Sequence, residues 1–102
     1  MARLVVMYKT PEDAAAFDRH YFDTHVPIAK KIPGLRKYEN SQGPVVTPVG
    51  PSGFYLIATL HFDDMAAIQG AFASPEGQAA AADVQTFTTD PPRMLLFDSR
   101  EV

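Results

Sequence analysis

Three histidines and four tyrosines carry most of the chemistry open to this chain, which has no cysteine. His25 is the first candidate. It stands in Tyr21-Phe22-Asp23-Thr24-His25-Val26-Pro27-Ile28, where an aromatic helix runs into a proline step. An imidazole there titrates near neutrality and can give or take a proton at a bound molecule. If a helix continues from Tyr21, His25 lies one turn on, at the edge of the apolar stripe. The competing assignment is a histidine that hydrogen-bonds the broken helix end and stabilises a kink. Tyr8, Tyr21, Tyr38 and Tyr55 offer hydroxyls on apolar bodies, suited to a pocket wall and equally to core or interface packing. Asp83 could orient His25 or accept a bond from a loop; composition alone makes it a solvated helix carboxylate. His61 shares a strand face with Thr59 and Ile57 and lines a pocket only if that face does; half-solvation at the strand end is the alternative. His20 is expected on the solvated flank of the first helix. Arg93 could steer an anion, with a surface role as the default.

Other chemistries lack their residues. The histidines are scattered and no pair has metal-ligand spacing, so no metal or other cofactor is expected. Gly50-Pro51-Ser52-Gly53 lacks the strand-to-helix setting of a phosphate loop, and no Gly-x-Ser-x-Gly elbow occurs. Without cysteine there is neither disulfide nor thiol catalysis, and a reducing compartment is permitted.

The elements that must position these side chains can be read in order. Leu4 to Tyr8 is an apolar, β-branched run, expected as a central strand covered on both faces. Thr10-Pro11-Glu12-Asp13 opens a helix with Thr10 as N-cap. Its apolar stripe is Ala14, Phe17, Tyr21, Thr24 and Ile28. Pro27 removes a backbone donor and pushes Val26 from helical angles, which predicts a break or kink near Asp23-Thr24 and a short second helix to Lys31. Leu35 to Gln42 reads as a strand of mixed polarity, exposed or near a polar site. Gly43 to Gly53 is a long hairpin loop punctuated by Pro44, Pro48 and Pro51. Phe54 to Phe62 alternates cleanly: Phe54, Leu56, Ala58, Leu60 and Phe62 on one face; Tyr55, Ile57, Thr59 and His61 on the other. Asp63-Asp64 caps one helix, and Ser74-Pro75 starts another with Gly77, Ala80, Val84 and Phe87 as its stripe. Arg93 to Asp98 is the last strand.

This order predicts one α+β domain over 1–102. It is a ferredoxin-like βαββαβ (split βαβ) arrangement, an antiparallel sheet with helices on one face. The other face is too apolar to remain in water, so two copies are expected to pack sheet to sheet and enclose a cavity. A net charge of -3 argues against a nucleic-acid partner. No stretch approaches the ~20 apolar residues of a membrane span, and the N-terminus lacks a secretory signal. The expectation is a soluble, cytoplasmic protein.

Tyr21 to Ile28, followed by Lys31-Ile32-Pro33-Gly34-Leu35-Arg36-Lys37-Tyr38, resembles the EthD family of small dimeric α+β-barrel proteins. Ser74-Pro75-Glu76-Gly77-Gln78, Asp83 and Phe87 also fit, and the likeness covers nearly the whole chain. The resemblance implies a homodimer with a small-molecule pocket. Proteins on the same fold include lactone isomerases, cofactor-free monooxygenases, polyketide cyclases and haem-handling proteins. The favoured expectation is a cofactor-free enzyme, of oxygenase or isomerase type, that uses His25 as acid or base on a small apolar or aromatic metabolite. A carrier for a neighbouring oxygenase is the alternative, and haem handling a weaker third.

Overall fold

A computed structural model describes residues 1–102. Four strands form an antiparallel sheet in the order β2-β5-β1-β6. They are β1 (Ala2–Lys9), β2 (Lys37–Asn40), β5 (Phe54–Phe62) and β6 (Arg93–Asp98). The short strands β3 (Val46–Thr47) and β4 (Gly50–Pro51) pair with each other within the long loop. This is the ferredoxin-like topology expected, with helices α1 (Ala14–His20), α2 (Val26–Ala29), α3 (Met65–Ala73) and α4 (Pro75–Phe87). No helix is long and apolar enough to cross a membrane.

Strand alternation sets the core. Ala2, Leu4, Val6 and Tyr8 of β1 and Leu56, Ala58, Leu60 and Phe62 of β5 are buried beneath the helices. They meet Phe17, Tyr21, Ile68 and Ala71. Arg3, Val5 and Met7 are only half-buried, so β1 is covered on one face rather than both. Its apolar run reflects a second face that nothing in the protomer covers.

The first helical segment departs from expectation in three ways. Asp13, not Thr10, is the N-cap: its carboxylate accepts from the Ala16 amide at 3.0 Å. Aspartate ranks above threonine at this position, and here it wins. Next, the chain does not break before Pro27. Tyr21–His25 forms a single π turn, in which the Val26 amide donates to the Tyr21 carbonyl five residues back. Val26 keeps helical angles (φ −57, ψ −47). Pro27 sits in the first turn of α2, where its missing donor costs little. The helix then stops at Ala29, short of Lys31. Finally, the wider turn rotates the buried stripe onto Phe17, Tyr21, His25 and Ala29, leaving Ala14 and Thr24 exposed. His25 therefore lies within the buried face, not at its edge.

Elsewhere the local chemistry works as anticipated. Asp64 caps α3 by accepting from the Ala67 amide, and Ser74 caps α4 by accepting from the Gly77 amide. Strand β2 is shorter than Leu35 to Gln42. Even so, the Arg36 and Ser41 amides extend its pairing by donating to the His61 and Ile57 carbonyls.

Candidate functional site

The main cavity, of about 510 Å³, lies between the sheet and the helices. Fifteen of its 22 lining residues are hydrophobic, and none is Lys, Arg, Asp or Glu. Polar atoms come from a few places, notably Tyr8 on β1, His25 on the π turn and Tyr38 on β2. An apolar chamber with a few convergent polar groups is the usual form of a small-molecule site.

His25 is 5% exposed. Its Nδ1 lies 2.9 Å from Oδ2 of Asp83 on α4. An ionised carboxylate only accepts, so Nδ1 carries the proton and donates. Nε2 is left as the bare nitrogen, with no protein partner, on the cavity wall. Burial lowers the His25 pKa by disfavouring the cation, while the Asp83 hydrogen bond and charge oppose that shift. The result is an imidazole that is neutral near pH 7 and can accept a proton at Nε2.

Asp83 holds a second histidine. His20 Nε2 lies 2.9 Å from Oδ1 and 3.1 Å from Oδ2. Burial would raise the carboxyl pKa; hydrogen bonds from His20, His25 and Thr86 and the His20 charge outweigh it and hold the pKa below the ordinary value. His20 keeps partial exposure, as expected of a flank position, but it is tied to Asp83 rather than free in solvent. Its ring also stacks on Phe87, with centroids 4.9 Å apart. Five residues along an α-helix place side chains roughly 140° apart. A turn closed by i→i+5 bonds brings them back to one side. The π turn is thus what lets His20 and His25 share one carboxylate.

The tyrosines divide by position. Tyr21 is fully buried; its hydroxyl donates to Asn40 Oδ1 at 2.6 Å and therefore accepts from the Tyr38 hydroxyl at 2.6 Å. It supports the pocket from behind rather than lining it. The Tyr8 hydroxyl has no protein partner. Burial raises the pKa of Tyr8, Tyr21 and Tyr38, so each hydroxyl keeps its proton.

Two candidates lie elsewhere. Pairing slips between Tyr8 and Lys9, so that Leu56 faces Tyr8 and Phe54 faces Lys9. Tyr55 is left in the bulge and turns toward α1. There it meets Phe17 edge-on and donates to Asp18 at 2.9 Å, away from the main cavity. The strict alternation read from Phe54 to Phe62 missed this bulge. His61 stays on the open sheet face, 2.7 Å from Glu39 Oε1. Since the cavity is on the helical side, His61 does not line it. Arg93 is exposed at the start of β6. No group of three or more His, Cys, Asp or Glu side chains is arranged to hold a metal ion.

The fold and this chamber define a ferredoxin-like α+β protein with a small-molecule-sized pocket. Residues 9–91 match the family model described as EthD domain. A Rhodococcus erythropolis protein, an uncharacterised 11.0 kDa product of the thcB-thcC intergenic region, is 40% identical over 102 residues. That alignment spans 100% of this chain and 98% of its relative. The crystal structure of an EthD family protein from Bacillus halodurans superposes with a TM-score of 0.89 at 37% identity, over 98% of this chain and 99% of that one. The chain belongs to the EthD family. SnoaB from Streptomyces nogalater, a cofactor-independent oxygenase, shares the fold with a TM-score of 0.67 at 17% identity, over 99% of this chain and 94% of that one.

Proposed function

We propose that this protein is a cofactor-free enzyme that binds a small, neutral, largely apolar or aromatic metabolite in the chamber between sheet and helices and moves a proton with His25. The observation that carries this is the His25 ring. Asp83 holds Nδ1, while Nε2 is unpartnered on a wall free of charged residues. A base of this kind removes a proton from a phenol, an enol or a carbon next to a carbonyl, and the resulting imidazolium is stabilised by Asp83. The Tyr8 hydroxyl, which has no protein partner, is the group free to donate a hydrogen bond to the oxyanion that forms, while the Tyr38 proton is committed to Tyr21. Cofactor-free oxygenation and isomerisation both begin with such a carbanion or enolate. The oxygenase likeness supports the first of these by fold alone.

We also infer a homodimer. Val5, Met7, Ile57, Leu95 and Phe97 share the open sheet face by register, and Leu95 and Phe97 are 47% and 43% exposed. An apolar face of this kind favours a second copy.

The test is turnover of a panel of phenols and lactones under air, followed by mass spectrometry. Product should form with the wild type and fall by at least ~100-fold with His25→Ala, the usual scale for losing a general base. Equal turnover by the variant would remove His25 from the mechanism. Saturable binding with no product would establish a carrier instead.

A further inference from the structure

We propose that His20 is a positioning residue for the site: it clamps Asp83 so that the carboxylate presents Oδ2 to His25 and fixes the imidazole with Nε2 bare. This rests on the role given to His25 above, but its consequence can be observed without a substrate.

The geometry is that of a carboxylate held on both edges. Oδ1 receives His20 Nε2 at 2.9 Å and Thr86 Oγ1 at 3.2 Å, and Oδ2 receives His25 Nδ1 at 2.9 Å. Thr86 has its own tie, donating to the Asp83 carbonyl at 2.7 Å. A hydroxyl has one proton, so it cannot fully serve both acceptors; His20 Nε2, nearest Oδ1 but also 3.1 Å from Oδ2 and 3.3 Å from Thr86 Oγ1, is the side chain that spans the carboxylate edge. His20 is itself fixed by stacking on Phe87, one helical turn beyond Asp83 on α4. Without His20, Asp83 is free to rotate about its carboxylate axis, and His25 can take either tautomer. With Nε2–H, His25 would meet the cavity as a donor and could not accept a proton there.

The chain also runs outward. His25 and Asp83 have side chains 7% and 11% exposed, whereas that of His20 is 31% exposed. His20 is thus the solvent-facing end of a link that starts at the cavity wall. At its inner end, Tyr8 from β1 lies near Asp83, Tyr21 from the π turn packs on the His25 ring, and Tyr38 from β2 bonds Tyr21. No lysine or arginine pairs with Asp83, so the two imidazoles are the only basic side chains that reach it. The proton count closes within the chain. His25 gains one proton at Nε2, keeps the one at Nδ1 and becomes an imidazolium; Asp83 stays ionised and His20 is unchanged.

The experiment is nitrogen–proton correlation NMR of the imidazoles in the full-length protein at pH 7.5, with no ligand. The wild type should show His25 as a single neutral tautomer with the proton on Nδ1, and His20 with a proton on Nε2. His20→Ala should lose the single His25 tautomer in favour of a mixture. His20→Gln should restore it, because the side-chain amide nitrogen reaches about as far as Nε2 and donates. If His20→Ala leaves the His25 tautomer unchanged, or if wild-type His20 carries its proton on Nδ1 alone, the clamp is wrong. The wild-type spectrum decides even if the alanine variant does not fold. A protein with this tautomer and no turnover would retain the clamp and lose the enzymatic role; the reverse result would lose only the clamp.

Discussion

Oδ2 of Asp83 lies 2.9 Å from Nδ1 of His25, although 58 residues separate them in the chain. The pair joins α4 to the π turn and makes stability depend on pH in a direction that can be worked out. The folded-state pKa of His25 is lowered from 6.5, by burial first. A depressed value means that the unfolded chain takes the proton sooner. Stability from this group is complete above pH 6.5 and declines as pH falls through the folded value. Asp83 is likewise lowered, from 3.8, so its contribution is lost at still lower pH. Asp83→Asn should cost about 1–3 kcal/mol at pH 7, since it removes the anionic acceptor of two histidines. It should also flatten the acid limb below pH 4. Urea denaturation of both proteins between pH 3 and 7.5 gives the two curves; parallel curves would mean that the pair does not contribute.

All four tyrosines are shifted upward, which has its own signature. Tyr8, Tyr21 and Tyr38 are raised by burial, and Tyr55 by its hydrogen bond to Asp18. A raised value means stability that is whole below pH 10.0 and lost as pH climbs toward the folded values. Tyrosinate absorbance should therefore lag behind free tyrosine above pH 10 and appear together with the loss of helical circular dichroism. Tyr21→Phe should lower stability by about 1–2 kcal/mol, because it leaves Asn40 Oδ1 and the Tyr38 hydroxyl without their shared partner. A tyrosinate signal that rises at pH 10 with the fold intact would contradict this packing.

The parts of this molecule that were legible in the sequence are those set by local rules. Alternation in Leu56 to Phe62 and the caps at Asp64 and Ser74 depend on neighbours a few residues away, and all three appear where the pattern places them. The order of elements, and with it the fold, follows from them. His25, Tyr8 and Tyr38 were legible as candidates because a polar group on an apolar element has few places to point. What was hidden depended on a one-residue change of pitch or register. The π turn moved His25 inward and brought His20 beside Asp83, while the bulge at Tyr55 turned that ring to the opposite face. Neither has a strong residue signature, since each is decided by the packing of whole elements. The condition set on His61 could not be resolved from the sequence for a different reason. Alternation tells which residues share a face, but not which face encloses the cavity.

Gly77 should tolerate no side chain. In an ordinary helix, glycine to alanine stabilises by about 1 kcal/mol. Here a Cβ would overlap the carbonyl oxygen of Ala71, at the close approach of α3 and α4. Backbone cannot move aside as a side-chain tip can, so overpacking, worth about 1–3 kcal/mol or more, outweighs the propensity gain. Gly77→Ala should therefore be net destabilising in a urea melt. The neighbouring Gly70→Ala, which meets nothing within 4 Å, should be neutral or stabilising. If both variants gain stability, the helices do not pack this closely.

The open face of the sheet yields the last prediction. By register, Met7 pairs with Ile57 and Val5 with Leu95, which places these apolar side chains at the middle of a face that no helix covers. Arg3 adds a polar demand there: its Nη1 is buried and has no partner, beside His61 and Phe97 in the pairing register. A guanidinium nitrogen left this way is costly. Glu39 lies on the same face of the sheet, where it already pairs with His61. Ile57→Glu would then put an unpaired carboxylate into the middle of the interface. A penalty of about 3 kcal/mol weakens association by roughly 100-fold. Sedimentation at micromolar concentration should give a dimer for the wild type and for Ile57→Val, and a monomer for Ile57→Glu. Because Ile57 lies on the opposite side of the sheet from His25, the monomeric variant should keep the His25 tautomer. A wild type that sediments as a monomer would remove the reason for so apolar a face. A variant that remains dimeric would place the contact elsewhere, with the exposed edge strand β6 as the next surface to alter.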